Sequence, residues 1–183
     1  ILIRTVDDND IAWYLWLTSE TVSEIPSKDQ FTNLVWSDDF DYTGAIDPDK
    51  WTHEVREQWY NNEVQSTTSS LDNSKVEDGK LKITAIKTAN GSFTSARIRT
   101  YKKLDFTYGR IDVKAKMPSK TNGVWPAIWL LGSNYESIDW PACGEIDIQE
   151  YAHTNSFNVQ STVHQPEGYA GQGDSHVTYD YNN

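Results

Sequence analysis

A single cysteine, Cys143, in 183 residues leaves no partner for an internal disulfide, so packing and hydrogen bonding must hold the fold. No long hydrophobic run is present either. The longest, residues 11–17, falls far short of the ~20 residues that a helix needs to span a bilayer. Basic residues are few, 16 Lys and Arg against 27 Asp and Glu, and the formal charge of −11 would repel nucleic acid and anionic membranes. An uncharged partner fits better. Residue 1 onward shows no basic region followed by an apolar signal segment, so an export signal is expected to lie outside this sequence. Sustained helical periodicity is also missing. Aromatics, in contrast, are abundant: eight Trp and ten Tyr offer flat faces that pack a core or stack on sugar rings.

From residue 34 onward, short alternating segments and turn signals predict an all-β chain. Residues 76–86 read as a hairpin about Asp78-Gly79, with Leu81, Ile83 and Ala85 alternating with Lys80, Lys82 and Thr84. Ala96, Ile98 and Thr100 alternate with Arg97 and Arg99, and Ile111, Val113, Ala115 and Met117 alternate with Arg110, Asp112, Lys114 and Lys116. Strands that each bury one face predict antiparallel sheets packed as a β-sandwich. Residues 1–30 stand apart. Ile1-Leu2-Ile3 and residues 12–17 read as two short strands around the acidic turn Asp7-Asp8-Asn9-Asp10, and 18–30, with Pro26, reads as a linker. The expected division is an upstream segment or module tail over 1–30 and a main domain over 31–183.

The chemistry concentrates in Gly144-Glu145-Ile146-Asp147-Ile148-Gln149-Glu150-Tyr151. In a strand, Glu145 and Asp147 share one face, with Ile146 and Ile148 on the other. Strict alternation would turn Glu150 away. One extra residue, taken up as a β-bulge, would return it to the acid face. Two carboxyl groups about 5 to 5.5 Å apart suit retaining glycoside hydrolysis, and a third acid between them would tune both. On these eight residues alone, a charged and solvated edge strand is the competing reading.

The flanks carry a resemblance. Gly123-Val124-Trp125-Pro126-Ala127-Ile128-Trp129-Leu130-Leu131 and Trp140-Pro141-Ala142-Cys143-Gly144 surround the approach to the acid strand. Trp59-Tyr60-Asn61-Asn62-Glu63-Val64-Gln65, Thr94-Ser95-Ala96-Arg97-Ile98, Tyr108-Gly109-Arg110-Ile111 and Thr162-Val163-His164 are further matches, and all occur in the order of one known family. Together they resemble glycoside hydrolase family 16, laminarinase (endo-β-1,3-glucanase) branch. The resemblance implies a jelly-roll sandwich whose concave sheet forms a substrate cleft, and a retaining, endo-acting hydrolase of β-1,3-glucan. Glu145 is then the nucleophile, Glu150 the acid/base, protonated through nearby acids and partial burial, and Asp147 the group bonded to Glu145. Agarases and carrageenases carry similar bulged strands, mixed-linkage glucan is a further substrate class, and a non-catalytic β-glucan-binding module is the reading outside enzymes. The family continues through several strands after Asn183, so the 31–183 domain is expected to be C-terminally incomplete.

The same resemblance adds substrate-binding residues to what alternation shows. Trp125 and Trp129 read equally well as core aromatics or sugar platforms; the resemblance favours sugar contact for Trp125 and leaves Trp129 open. Trp140 matches a subsite aromatic. Arg97 alternates as an outer-face charge, yet matches a cleft arginine. Asn62 fits an ordinary turn, yet matches an asparagine that contacts sugar hydroxyls. His164, on a polar face with Gln160 and Thr162, is placed beside the acids. The four histidines and Cys143 lack zinc-ligand spacing. Asp39 and Gly79 match two positions of the family's structural Ca²⁺ site, whose expected Asp in the last strand is absent from this sequence. No cofactor is expected for the chemistry, and the protein is expected to be a secreted or cell-surface monomer acting on polysaccharide.

Overall fold

The computed structural model describes residues 2–6, 12–16, 31–118, 123–153, 157–166 and 175–180. Every regular element in them is a strand, and no helix is present among the described residues. In chain order these are β1 (Leu2–Val6), β2 (Ala12–Trp16), β3 (Thr52–His53), β4 (Gln65–Thr67), β5 (Ser74–Glu77), β6 (Lys80–Ile83) and β7 (Ile86–Lys87). There follow β8 (Phe93–Ser95), β9 (Ile98–Arg99), β10 (Arg110–Lys114), β11 (Ala127–Leu131), β12 (Glu145–His153), β13 (Phe157–His164) and β14 (Ser175–Asp180). The chain divides into two compact units: residues 1–31 with 107–183, and residues 32–106.

In the first unit, β11, β12, β13 and β14 form an antiparallel sheet in that order. The acid strand β12 is therefore central, not an edge, and the solvated-edge reading falls away. Its ladder to β13 pairs Glu145 with His164, Asp147 with Thr162 and Glu150 with Gln160. Three steps along β12 match two along β13 between Asp147 and Glu150, which is a one-residue bulge. The ladder to β11 shifts at the same place, passing from Trp129 opposite Asp147 to Ile128 opposite Gln149. A bulge disturbs backbone pairing, and here the Ser161 hydroxyl donates to the Ile148 carbonyl at 2.8 Å. Ile148 and Tyr151 are buried, which anchors the strand by its apolar side chains.

A second, three-stranded sheet runs β10-β1-β2, with β1 parallel to β10 and antiparallel to β2. Thus the strand pair near the N-terminus forms as the sequence suggests, and it pairs with β10 rather than standing alone. The proposed linker over 18–30 lies outside the described residues. Strand β10 stops at Lys114, and Ala115 beyond it is exposed, so the alternation read through Met117 overruns the strand.

The second unit holds three small sheets: β3-β9, β4-β8-β7 and the hairpin β5-β6. The hairpin turns at Asp78 (φ 57°) and Gly79 (φ 69°), the left-handed pair that a two-residue turn requires. Val76 is wholly buried, but Ile83 at the far end is 49% exposed. A two-stranded ribbon does not cover both of its ends, so alternation overstated burial there. Alternation also misjudges Arg97 and Arg99, which are half-buried because Glu54 accepts ion pairs from both, at 3.1 and 3.4 Å.

Candidate active site

Two turns deliver β12 to its place. Gly144 sits at φ 81°, a left-handed conformation that glycine adopts without strain, and its carbonyl accepts the Gly132 N–H at 2.9 Å. A Cβ on Gly132 would lie 1.9 Å from the Cys143 carbonyl oxygen, so the exit of β11 can pass this turn only as glycine. Residues directly opposite in an antiparallel ladder project to the same side. The register therefore sets Trp129, Asp147 and Thr162 in one row, with Glu145 and His164 before it and Glu150 and Gln160 after it.

Side-chain contacts tie these rows together. His164 Nε2 lies 3.0 Å from Asp147 Oδ2, and the Trp140 and His164 ring centroids are 5.4 Å apart. Trp140 Nε1–H donates to Glu145 Oε2 at 2.7 Å, and Trp125 Nε1–H donates to Glu150 Oε1 at 3.0 Å. Both indoles are nonetheless open to solvent, Trp125 at 62% and Trp140 at 56% exposure. Trp129 is half-buried. The two tryptophans expected on one strand face are thus separated. Strand β11 begins only at Ala127, because Pro126 has no N–H to give to a ladder, and Trp125 precedes it.

Asp147 is 3% exposed, and its carboxyl is pushed up to about 7. Burial is the first cause, followed by the charges of Glu145 and Glu150 and a hydrogen bond with Glu145; His164 opposes them. A carboxyl that shares a hydrogen with its neighbour near neutral pH lets the row carry fewer charges than it has acids. The row is thereby suited to chemistry that needs an ionised and a proton-bearing carboxyl side by side. Glu145, Asp147 and His164 also bring one donor atom each within 4.8 Å of one another, a spacing that a divalent cation would accept.

The remaining expected residues lie in the other unit. Arg97 Nε is 3.1 Å from Glu54 Oε2, and its guanidinium sits 4.2 Å from the centre of the Trp59 ring. Asn62 is an exposed turn residue at φ 59°, a conformation asparagine tolerates better than most residues. Asp39 and Gly79 are both exposed, and no convergent group of three or more His, Cys, Asp or Glu forms around them among the described residues. Calcium takes six to eight oxygens, so two such positions do not make its site and none is assigned. Sequence reasoning left Thr162 and Gln160 outside the site. Thr162 and Gln160 carried the signal, standing at two-residue spacing from His164 on its polar face.

The family model "Glycosyl hydrolases family 16" matches residues 57–183. The chain belongs to glycosyl hydrolase family 16. A curated relative, the beta-glucanase of Rhodothermus marinus, is 44% identical over 137 residues, 72% of this chain and 48% of the relative. The solved laminarinase from Rhodothermus marinus is similar at a TM-score of 0.72 and 39% identity, covering 81% of this chain and 62% of that one. LamA from Z. galactanivorans, as a variant with laminaritriose and laminaritetraose, gives 0.70 and 38%, covering 84% and 69%. The chain thus spans about half of that curated relative's length. With its all-strand content, family 16 membership makes the fold a β-sandwich of the jelly-roll type.

Proposed function

We propose that the protein is a secreted, endo-acting β-1,3-glucanase that works by retaining double displacement. The observation that carries this is the bulge between Asp147 and Glu150, which sets Glu150 in register beside the face that bears Glu145 and Asp147. In the first step the Glu145 carboxylate attacks the anomeric carbon, the glycosidic C–O bond breaks, and Glu150 gives its proton to the departing oxygen. In the second, Glu150 takes a proton from water, whose oxygen displaces Glu145 from the anomeric carbon. Asp147, bonded to Glu145 and His164, holds the hydrogen that limits charge build-up along the row. No cofactor enters either step.

Residues 31–183 supply this catalytic part, its cleft lined by the concave sheet. Trp125 and Trp140 offer exposed ring faces to glucose units, and Trp129 and His164 support the acid row. β-1,3-Glucan is the favoured substrate because the relatives are a beta-glucanase and laminarinases, one seen with laminari-oligosaccharides. An uncharged polymer also suits a chain of charge −11, and its size places the reaction outside the cell, with the enzyme acting as a monomer. Product analysis on laminarin, lichenan and agarose tests the reading. Mixed oligosaccharides released early from laminarin support it. Glucose alone would overturn endo action, preferential cleavage of lichenan or agarose would overturn the linkage, and binding without hydrolysis would overturn catalysis.

A further inference from the structure

Each of the two glutamates accepts an indole N–H, Glu145 from Trp140 at 2.7 Å and Glu150 from Trp125 at 3.0 Å. Indole nitrogen is only a donor, and a hydrogen bond to an ionised oxygen is about twice as strong as a neutral one. An exposed ring gains little from burial, so a tryptophan more than half open to water is not held in place by core packing. What fixes the Trp140 ring is its bond to Glu145 together with its contact on His164, at 5.4 Å between ring centroids. His164 in turn bonds Asp147, which bonds Glu145. The four side chains form a closed circuit in which each restrains the next.

We propose that Trp140 is a positioning residue for Glu145, and Trp125 a weaker one for Glu150, each acting through its indole N–H separately from any contact of its ring with sugar. The proposal rests on the glycosidase reading above and adds a division of labour within one side chain. The ring face contributes to binding, whereas the N–H fixes one oxygen of the carboxylate so that the other is aimed at the anomeric carbon. Orientation of an attacking group affects the chemical step more than ground-state binding. Trp140 should matter more than Trp125, because its bond is shorter and a third side chain braces it.

The test replaces Trp140 with benzothienylalanine, which keeps a fused bicyclic ring but has sulfur in place of N–H. The expected result on laminari-oligosaccharides is a fall in kcat of about 10- to 100-fold with KM nearly unchanged, the size of one lost charge-assisted hydrogen bond. The same change at Trp125 should give a smaller fall. Trp140→Ala should raise KM as well, since it removes the ring. An unchanged kcat in the benzothienylalanine variant, or a rise in KM alone, would overturn the proposal while leaving the glycosidase reading intact. A second readout does not depend on turnover. The Trp140 indole N–H resonance of the ¹⁵N-labelled protein should move upfield in Glu145→Gln, as the donor loses its ionised acceptor. A resonance that stays in place would refute the bond even if the enzyme proved inactive on every glucan.

Discussion

Two aspartates, one in each unit, have side chains almost closed to solvent, Asp147 as a buried residue and Asp38 as a half-buried one, and they titrate in opposite directions. The Asp38 side chain is 2% exposed and that of Asp147 is 4% exposed. Burial pushes both carboxyls up, because it penalises the charged form. At Asp38 the donors win. The Trp51 indole at 2.8 Å, the Phe40 backbone N–H at 3.1 Å, the Tyr42 hydroxyl at 3.2 Å and the Lys50 ammonium at 3.5 Å together hold it below the usual range. At Asp147 the neighbours are Glu145 and Glu150, and the carboxyl rises to about 7. A side chain closed to solvent therefore does not by itself distinguish a structural acid from a chemical one. The partners do: donors fix a charge and hold a loop, whereas gathered acids keep a proton available.

The largest test of this contrast is Glu145→Gln, which removes one of the like charges and the proposed nucleophile. Laminarin hydrolysis should fall by about 10³-fold or more while oligosaccharide binding persists. Turnover near the wild-type rate would separate the acid row from the chemistry and break the contrast. Asp147→Asn keeps the shape of the side chain and removes its titration. Its kcat should fall by about 10- to 100-fold, measured at the pH optimum.

The same variant reports on stability with a definite sign. The folded-state carboxyl of Asp147 lies above its unfolded value, so protonation favours the fold. That contribution is present at pH below about 4 and is lost as pH rises to about 7, with a slope of at most about 1.4 kcal/mol per pH unit. Asp147→Asn should thus gain stability relative to wild type on going from pH 5 to pH 8. Denaturant midpoints at the two values check this, and a constant difference would mean that Asp147 ionises normally.

Asp38 should behave in the opposite way. Asp38→Ala leaves the Trp51 and Tyr42 donors unmatched and should cost about 2 to 3 kcal/mol near neutral pH, with kcat per folded molecule unchanged. Because its folded-state carboxyl is depressed, the wild-type advantage is present above about pH 4 and fades as pH falls through the folded value. The smallest effect belongs to the hairpin, where Lys82 bridges Glu77 and Asp78 at the protein surface, with all three side chains partly open to water. Lys82→Ala should give no resolvable shift in melting temperature, since exposed pairs contribute little. A large shift there would show that partner chemistry matters even without burial.

Much of this was legible in the residues because alternation and turn chemistry are local. Asp78-Gly79 specified its hairpin, and the spacing of Glu145, Asp147 and Glu150 required the bulge that the register shows. The site was readable for a related reason: its acids lie on one strand and His164 on the next. What stayed hidden depends on partners far along the chain. Nothing within the sequence around Arg97 announces Glu54 or the Trp59 ring beneath it. Alternation likewise could not show that Trp125 lies off the strand and turns its N–H to Glu150, since that depends on where Pro126 ends the ladder. The upward shift of Asp147 required both burial and the convergence of the two glutamates, and neither is a property of the local sequence.

The central claim is that the bulge makes Glu145 and Glu150 a retaining pair, and the anomeric configuration of fresh product tests it most directly. Proton NMR, recorded on laminari-oligosaccharide hydrolysis before mutarotation, should show the β-anomer first, because two displacements at one carbon restore its configuration. The α-anomer appearing first would mean a single displacement by water between more widely spaced carboxyl groups, and would contradict the assignment of Glu145 as nucleophile and Glu150 as acid/base.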